Sequence, residues 1–351
     1  MNARNAVKAF PSSNPGAERH EPAPARRHTV KGFLVLTTSL LFVLGIALLY
    51  GGAEMLVRGA SRLALSIGIR PLVVGLTVVA MGTSFPEFTV SFLSAIRESK
   101  DIALGNIIGS NIANIGLVVG LAALVRPLSI QVNTVRRELP FLIFASILFY
   151  FFSLDGMIGR VEGVLLFAGF LIFIAYTVRM AANDRRETAN IRASVDQLHG
   201  KRRSTGINLV LTLLGLISLV FGSYLIVNSA VTLAKALGVS EVVIGITMVA
   251  VGTSLPEVAI STVGAYHGQA DLAVGNAVGS NLFNTLFVIA IVTVVYPIPV
   301  EPGLLRFEYL FMLGFVIVLL PFIRSGFVLN RWEGGFLLAA YIFFIALLFI
   351  R

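Results

Sequence analysis

Apolar residues run along this chain in long blocks separated by short polar breaks. A helix that crosses a bilayer needs about 20 consecutive apolar residues. By that measure the blocks predict membrane-spanning helices at roughly 32–58, 71–96, 101–125, 138–154, 158–178, 206–236, 239–265, 271–296, 304–323 and 331–350. That makes about ten, five on each side of one polar stretch at 179–205. The second and seventh are interrupted by Gly and Pro. Residues 1–31 are polar and without periodicity, and read as a disordered tail. The apolar stretch after the tail is too long for a signal peptide and lacks a small-residue cleavage site. The expected organisation is the tail, a first transmembrane unit at 32–178, the connector 179–205 and a second transmembrane unit at 206–351.

Composition agrees with the pattern. The 351 residues are 56% hydrophobic and 13% charged, with a mean hydropathy of +0.89. Soluble domains carry about 25% charged residues, so this chain has too little polar surface to cover a particle of its size in water. The net charge of +9 is not a nucleic-acid signal, because the basic residues gather at helix flanks and in the connector. Arg179, Arg185, Arg186, Arg192, Lys201, Arg202 and Arg203 place the connector in the cytoplasm. Both termini then lie outside. The basic tail opposes that orientation, whereas Arg58, Arg62, Arg70, Arg126, Arg136 and Arg137 in the connector-side breaks support it. The chain has no cysteine, so disulfides, thiolate metal sites and cysteine nucleophiles are excluded. Its histidines (His20, His28, His199, His267) are not at metal-ligand spacing.

The two units repeat one another. Residues up to Asn114 align without a gap on residues up to Asn284, at an offset of 284 − 114 = 170. About 20 of roughly 50 positions are identical. The matches include Gly82/Gly252, Thr83/Thr253, Ser84/Ser254, Pro86/Pro256, Glu87/Glu257, Asn106/Asn276, Gly109/Gly279, Ser110/Ser280 and Asn111/Asn281. Because each unit holds an odd number of helices, the second must cross the membrane in the opposite sense. The fold class predicted is therefore all-α and integral to the membrane, with two inverted five-helix repeats and a site near the midplane between them.

The repeated residues suggest what the site holds. A carboxylate at the bilayer centre costs about 2.5–3.5 kcal/mol, and Glu87 and Glu257 are two in matched positions. A structural salt bridge is the bland alternative, but no Lys or Arg lies inside the same spans. Thr83 and Ser84 precede Glu87 by one helical turn and share its face, as do Thr253 and Ser254 with Glu257. Pro86 and Pro256 lack an amide to donate, which should free the carbonyls of Gly82 and Gly252. In the second motif Asn106, Ser110 and Asn114 form a polar stripe, as do Asn276, Ser280 and Asn284. Ser110, Asn114, Ser280 and Asn284 are assigned to the site. For Asn106 and Asn276 helix packing through Asn hydrogen bonds is the bland alternative. Gly105 with Gly109, and Gly275 with Gly279, are assigned to close helix packing. Hydroxyls, carbonyls and carboxylates together make a hard-oxygen cage suited to calcium or sodium. Such a charged site is costly to bury unless a cation neutralises it, which favours exchange over leak.

The doubled motifs G-T-S-x-P-E and G-N-x-x-G-S-N-x-x-N resemble the α-repeats of the calcium/cation antiporter superfamily, and most of all its prokaryotic sodium/calcium exchangers. The resemblance runs from about residue 33 to the end and is most specific in 68–114 and 238–284. It implies a multi-pass protein of the plasma (inner) membrane that exchanges Ca2+ for Na+ by alternating access. It implies no cofactor, no enzymatic activity, no nucleic acid and no obligate protein partner beyond the lipid bilayer. The implied ligands are Thr83, Ser84, Glu87, Ser110, Asn114, Thr253, Ser254, Glu257, Ser280 and Asn284, with the backbone carbonyls of Ala80 and Ala250 for sodium. The resemblance also implies that the first and sixth helices slide across the other eight. Some members carry Asp where this chain has Asn114 or Asn284, so a third carboxylate is missing here and the ion stoichiometry stays open. A proton/calcium antiporter of the same superfamily is the alternative, with the glutamates taking protons; a passive cation channel is an alternative of another class. The Thr/Ser pair beside each Glu favours sodium, because a proton needs no such ligands. No H-E-x-x-H, G-x-S-x-G with a suitable His, or phosphate-binding loop marks an enzyme. Trp332 and Tyr296 read as interface anchors, Glu54 as a loop or interface residue, Asp101 and Asp271 as N-caps, and His267 as solvated.

Overall fold

The structure, a computed structural model, describes residues 24–66, 69–97, 100–130, 132–183, 205–236, 252–324 and 326–350. Ala250, and with it the first half of the predicted seventh helix, lies outside the described residues. The long helices are α1 (Pro24–Ser66), α7 (Val132–Phe152), α8 (Arg160–Asn183), α9 (Thr205–Ala236), α14 (Glu308–Arg324) and α15 (Arg331–Ile350). Between α1 and α7 the chain is more broken. It forms α2 (Pro71–Val74), a π-helical turn Gly75–Val79, α3 (Ala80–Thr83) and α4 (Phe85–Ile96). Next come α5 (Lys100–Ala113), a second π turn Asn114–Val119 and α6 (Gly120–Val125). The later counterparts are α10 (Leu255–Tyr266), α11 (Ala270–Phe283), the π turn Asn284–Val288 and α12 (Ile289–Val295), followed by the short α13 (Pro302–Arg306).

Among the described residues seven helices are long and apolar enough to cross a membrane, or up to eight with the broken run Pro71–Thr83 and Phe85–Ile96 counted as one span. The protein is an all-helical membrane protein. Two boundaries differ from expectation. The described part of α1 already includes residues 24–31, inside the expected disordered tail of 1–31. The ninth block is split at Phe307, whose φ of −127° and ψ of −72° are not helical.

Burial separates the helices into a centre and a rim. The most apolar stretches of Asp101–Val125 and Ala270–Val295 are 78% buried, whereas those of α1, α8 and α9 are only 22–28% buried. The rim presents Leu40, Val43, Val161, Ile172 and Ile217 outward, as a lipid-facing surface does. α1 and α9 pack against each other along glycines spaced by seven. A Cβ on Gly52 would meet Leu219 N at 2.9 Å and Gly215 O at 3.0 Å, and one on Gly222 would meet Leu49 N at 2.8 Å.

Four short strands tie the loops together: β1 (Leu128–Ser129), β2 (Met157–Ile158), β3 (Ile298–Pro299) and β4 (Val328–Leu329). β1 pairs antiparallel with β4, and β2 with β3. Each pair joins one half of the chain to the other. Strands of two residues are too short to leave a hydrophobic alternation, so the sequence pattern does not predict them.

Some single-residue expectations need correction. Glu54 is within α1, not in a loop, and is ion-paired with Arg58 and 2.7 Å from His267 Nε2, so His267 is not simply solvated. Gln269, not Asp271, holds the N-cap of α11, and Asp271 lies in its first turn. Gly275 and Gly279 pack closely: a Cβ would meet Leu72 O at 2.9 Å and Leu76 O at 2.7 Å. Among the described residues nothing approaches Gly105 or Gly109 within 4 Å in the same way.

Candidate cation site

Both motif glutamates sit where a helix starts again. Ser84 (φ −82°, ψ 8°) and Ser254 (φ −85°, ψ 2°) leave helical geometry, and α4 and α10 begin with Pro in the first turn. The two halves of the broken run meet at a bend of 43°. Glu87 and Glu257 therefore lie in the first turn of α4 and α10, where the partial positive charge of a helix N-terminus favours a carboxylate. A proline in mid-helix was expected only to free a carbonyl. In the structure the Gly252 carbonyl accepts from Ser223 Oγ of α9 at 2.7 Å, and Ala80 O accepts from Ser84 N at 2.9 Å and Thr83 Oγ1 at 3.3 Å.

The two glutamates are fully buried and close enough to repel one another. Among the described residues neither forms an ion pair with a Lys or Arg. Arg70, the one buried basic residue among them, acts on Glu138 of α7 instead. Glu257 Oε1 accepts from Ser84 Oγ at 3.3 Å and Ser280 Oγ at 3.4 Å, and Thr83 interacts with the same carboxylate. Thr253 interacts with Glu87. The motif hydroxyls Thr83, Ser84 and Thr253 thus serve the carboxylate of the other repeat, while Ser280 serves that of its own.

Several oxygens of this region are buried with no hydrogen-bond partner of ordinary geometry. They are both carboxylate oxygens of Glu87, Glu257 Oε2, Ser110 Oγ, Ser254 Oγ, Asn114 Oδ1 and Asn284 Oδ1. An unpaired buried polar atom costs about 1–3 kcal/mol, so this concentration of acceptors is unfavourable until something positive meets it. The structure thus brings Ala80, Thr83, Ser84, Glu87, Ser280 and Glu257 into one neighbourhood and places Thr253 against Glu87. A π turn begins at Asn114 and at Asn284, and such distortions are frequent at functional sites.

Residues outside the expected ligand set brace it. Asn106 Nδ2 donates to Ser91 Oγ at 2.9 Å and to the Glu87 carbonyl at 3.2 Å. Asn276 Nδ2 donates to Ser261 Oγ at 3.3 Å. The Asn276 amide is thus paired at both ends, its Oδ1 accepting from Thr83 Oγ1 at 3.3 Å, whereas Asn106 Oδ1 is buried without a partner. Ser91 and Ser261 were missed, although their identity at the repeat offset, 261 − 91 = 170, was a readable signal.

The sodium/calcium exchanger protein family model matches this chain twice, over residues 37–179 and 207–350. The chain belongs to the sodium/calcium exchanger family. That is a family of transporters. Among its relatives the chain is 38% identical over 321 residues to the "Putative antiporter CaxA" of Alkalimonas amylolytica, covering 90% of this chain and 99% of that protein. It is 35% identical over 320 residues to the "Inner membrane protein YrbG" of Escherichia coli, covering 90% and 98%. Solved structures of the sodium-calcium exchanger NCX_Mj superpose with a TM-score of 0.76 at 32% identity, over 90% of this chain and 99% of that one. The exchanger fold of this family thus extends over nearly all of the chain.

Proposed function

We propose that this protein is an antiporter of the inner membrane that exchanges Ca2+ for Na+ at a site built on Glu87 and Glu257. The observation that carries the reading is the buried carboxylate pair, without a basic partner, among unpaired hydroxyl and amide oxygens. The ligands are Thr83, Ser84, Glu87, Ser110 and Asn114 from one repeat, and Thr253, Ser254, Glu257, Ser280 and Asn284 from the other. The carbonyls of Ala80 and Ala250 serve sodium. Two carboxylates give the site a charge near −2. One calcium neutralises it, and so do two sodium ions on a different selection of the same oxygens. A neutralised site crosses the occluded state without burying net charge, and an unneutralised one does not. Exchange follows from that penalty.

The architecture we assign is ten spans in two inverted repeats, 32–178 and 206–351, with the connector 179–205 in the cytoplasm. The loop pairing supports it. In an inverted pair the loop after the third span of one repeat lies on the same side as the loop after the fourth span of the other. β1 with β4, and β2 with β3, are those pairs. Parallel repeats would put β1 beside β3.

The test is calcium-45 uptake into proteoliposomes loaded with sodium or with potassium, with the pH gradient collapsed. Uptake should require internal sodium and fall to background in Glu87→Gln and Glu257→Gln. Uptake that ignores sodium and returns with an imposed proton gradient would move the protein to proton coupling. Uptake without any counter-ion would make it a channel.

A further inference from the structure

We propose that Asn111 and Asn281 are positioning residues that hold the amides of Asn114 and Asn284 with their carbonyl oxygens turned to the transported cation. The inference rests on the cation site proposed above and adds to it what sets the ligand orientation. An asparagine presents an oxygen on one side and an NH2 group on the other, and only its partners decide which faces a ligand. A cation needs the oxygen.

Two groups that can only accept fix the whole network. The first is the main-chain carbonyl of Asn111, which lies 3.0 Å from Asn281 Nδ2. Asn281 must point its NH2 group there, so its Oδ1 faces the other way. That Oδ1 lies 3.0 Å from Asn114, which must therefore present Nδ2. Asn114 Oδ1 is left buried and unpaired. The second is the thioether of Met312, 3.7 Å from Asn111 Nδ2, which donates also to Thr285 Oγ1 at 2.9 Å. Asn111 Oδ1 is consequently the acceptor for Asn284 Nδ2 at 3.3 Å. Asn284 Oδ1 is in turn left buried and unpaired.

The two braces cross between repeats. Asn281 of α11 sets Asn114, and Asn111 of α5 sets Asn284. All of these amides are at most 1% exposed, so no solvent competes for the NH2 groups. The network also explains why an amide suits these positions in this chain. A carboxylate at 284 has no proton to give Asn111 Oδ1 and would set oxygen against oxygen.

The experiment is calcium-45 binding to the purified full-length protein by scintillation proximity, with Asn281→Ala, Asn111→Ala, Asn114→Ala, the double variant Asn281→Ala/Asn114→Ala, and Glu87→Gln. Loss of a group that orients a metal ligand weakens binding roughly 10–100-fold, and both single braces should do so. If Asn281 acts through Asn114, the double variant should bind no more weakly than Asn114→Ala alone. A separate structural role would make the losses multiply. Should an alanine variant fail to fold, Asn281→Ser and Asn111→Ser carry the same expectation. Affinity within twofold of wild type in both brace variants, with binding lost in Glu87→Gln, would overturn this proposal alone. Unchanged binding in Glu87→Gln would overturn the site itself.

Discussion

Glu87 and Glu257 hold the same place in their repeats but not the same surroundings. Glu257 Oε1 receives Ser84 and Ser280, whereas Ser254 and Ser110, the counterparts on the Glu87 side, have no hydrogen-bond partner. The hydroxyls on Glu257 therefore carry measurable weight. A hydrogen bond to a charged group contributes about 1.5–3 kcal/mol. Ser84→Ala and Ser280→Ala should each raise the calcium concentration for half-maximal uptake by roughly tenfold or more. Ser153→Ala should leave it within twofold, because that hydroxyl pairs with Tyr309 in the core, 2.6 Å away, outside the site. The carboxylates and hydroxyls were legible in the sequence because the repeat prints them twice. The bond between His267 and Glu54 was not, because it joins an unrepeated residue of α1 to a turn 213 residues away.

At the scale of elements, the glycines between α1 and α9 decide how close two rim helices come. Gly45, Gly52 and Gly59 face Gly222, Gly215 and Thr212 in turn, and a Cβ on Gly59 would meet Thr212 N at 2.8 Å. The atoms in the way are mostly backbone, which cannot swing aside. Gly52→Ala and Gly59→Ala should therefore lower the thermal midpoint of the purified protein, with overpacking costing about 1–3 kcal/mol. Gly51→Ala, where nothing lies within 4 Å, should leave the midpoint unchanged or raise it, since alanine is the better helix former by about 1 kcal/mol. This seam was readable: Gly215 and Gly222 are Gly45 and Gly52 displaced by the repeat offset of 170. Reading only the polar motifs found Gly275 and Gly279 and passed over it. The bend at Ser84 was only half legible. Proline announces an interruption but not its exact place: helical geometry is lost at Ser84 (ψ 8°), two residues before Pro86, and Phe85 already belongs to the new helix.

At the scale of the molecule, the halves do not sit side by side. A Cβ on Gly163 of α8 would press on Ala290 O of α12 at 3.0 Å, and one on Gly334 of α15 on Gly120 O of α6 at 2.8 Å. α8 thus packs on α12 and α15 on α6, each a helix of one half against a helix of the other, and the strand pairs repeat the exchange at the loops. A one-dimensional repeat reveals that there are two units, but contact between units leaves no periodic trace, so this interlocking was invisible in sequence. It has a consequence for topology. Because β1 pairs with β4 and β2 with β3, each pair must lie on one side of the membrane. In the ten-span architecture proposed above, alternating crossings put β1 on the side of the connector and β2 on the opposite side. The chain has no cysteine, so single cysteines report without background. Ser129→Cys and Val328→Cys should react with a membrane-impermeant maleimide only from the cytoplasmic side, in inside-out vesicles. Met157→Cys and Pro299→Cys should react only in spheroplasts. The double variant Ser129→Cys/Val328→Cys should also form a disulfide on mild oxidation, since these residues are register partners. Labelling of Ser129→Cys and Met157→Cys from the same side would remove the inverted arrangement, and with it the argument that the two glutamates meet from opposite directions at the midplane.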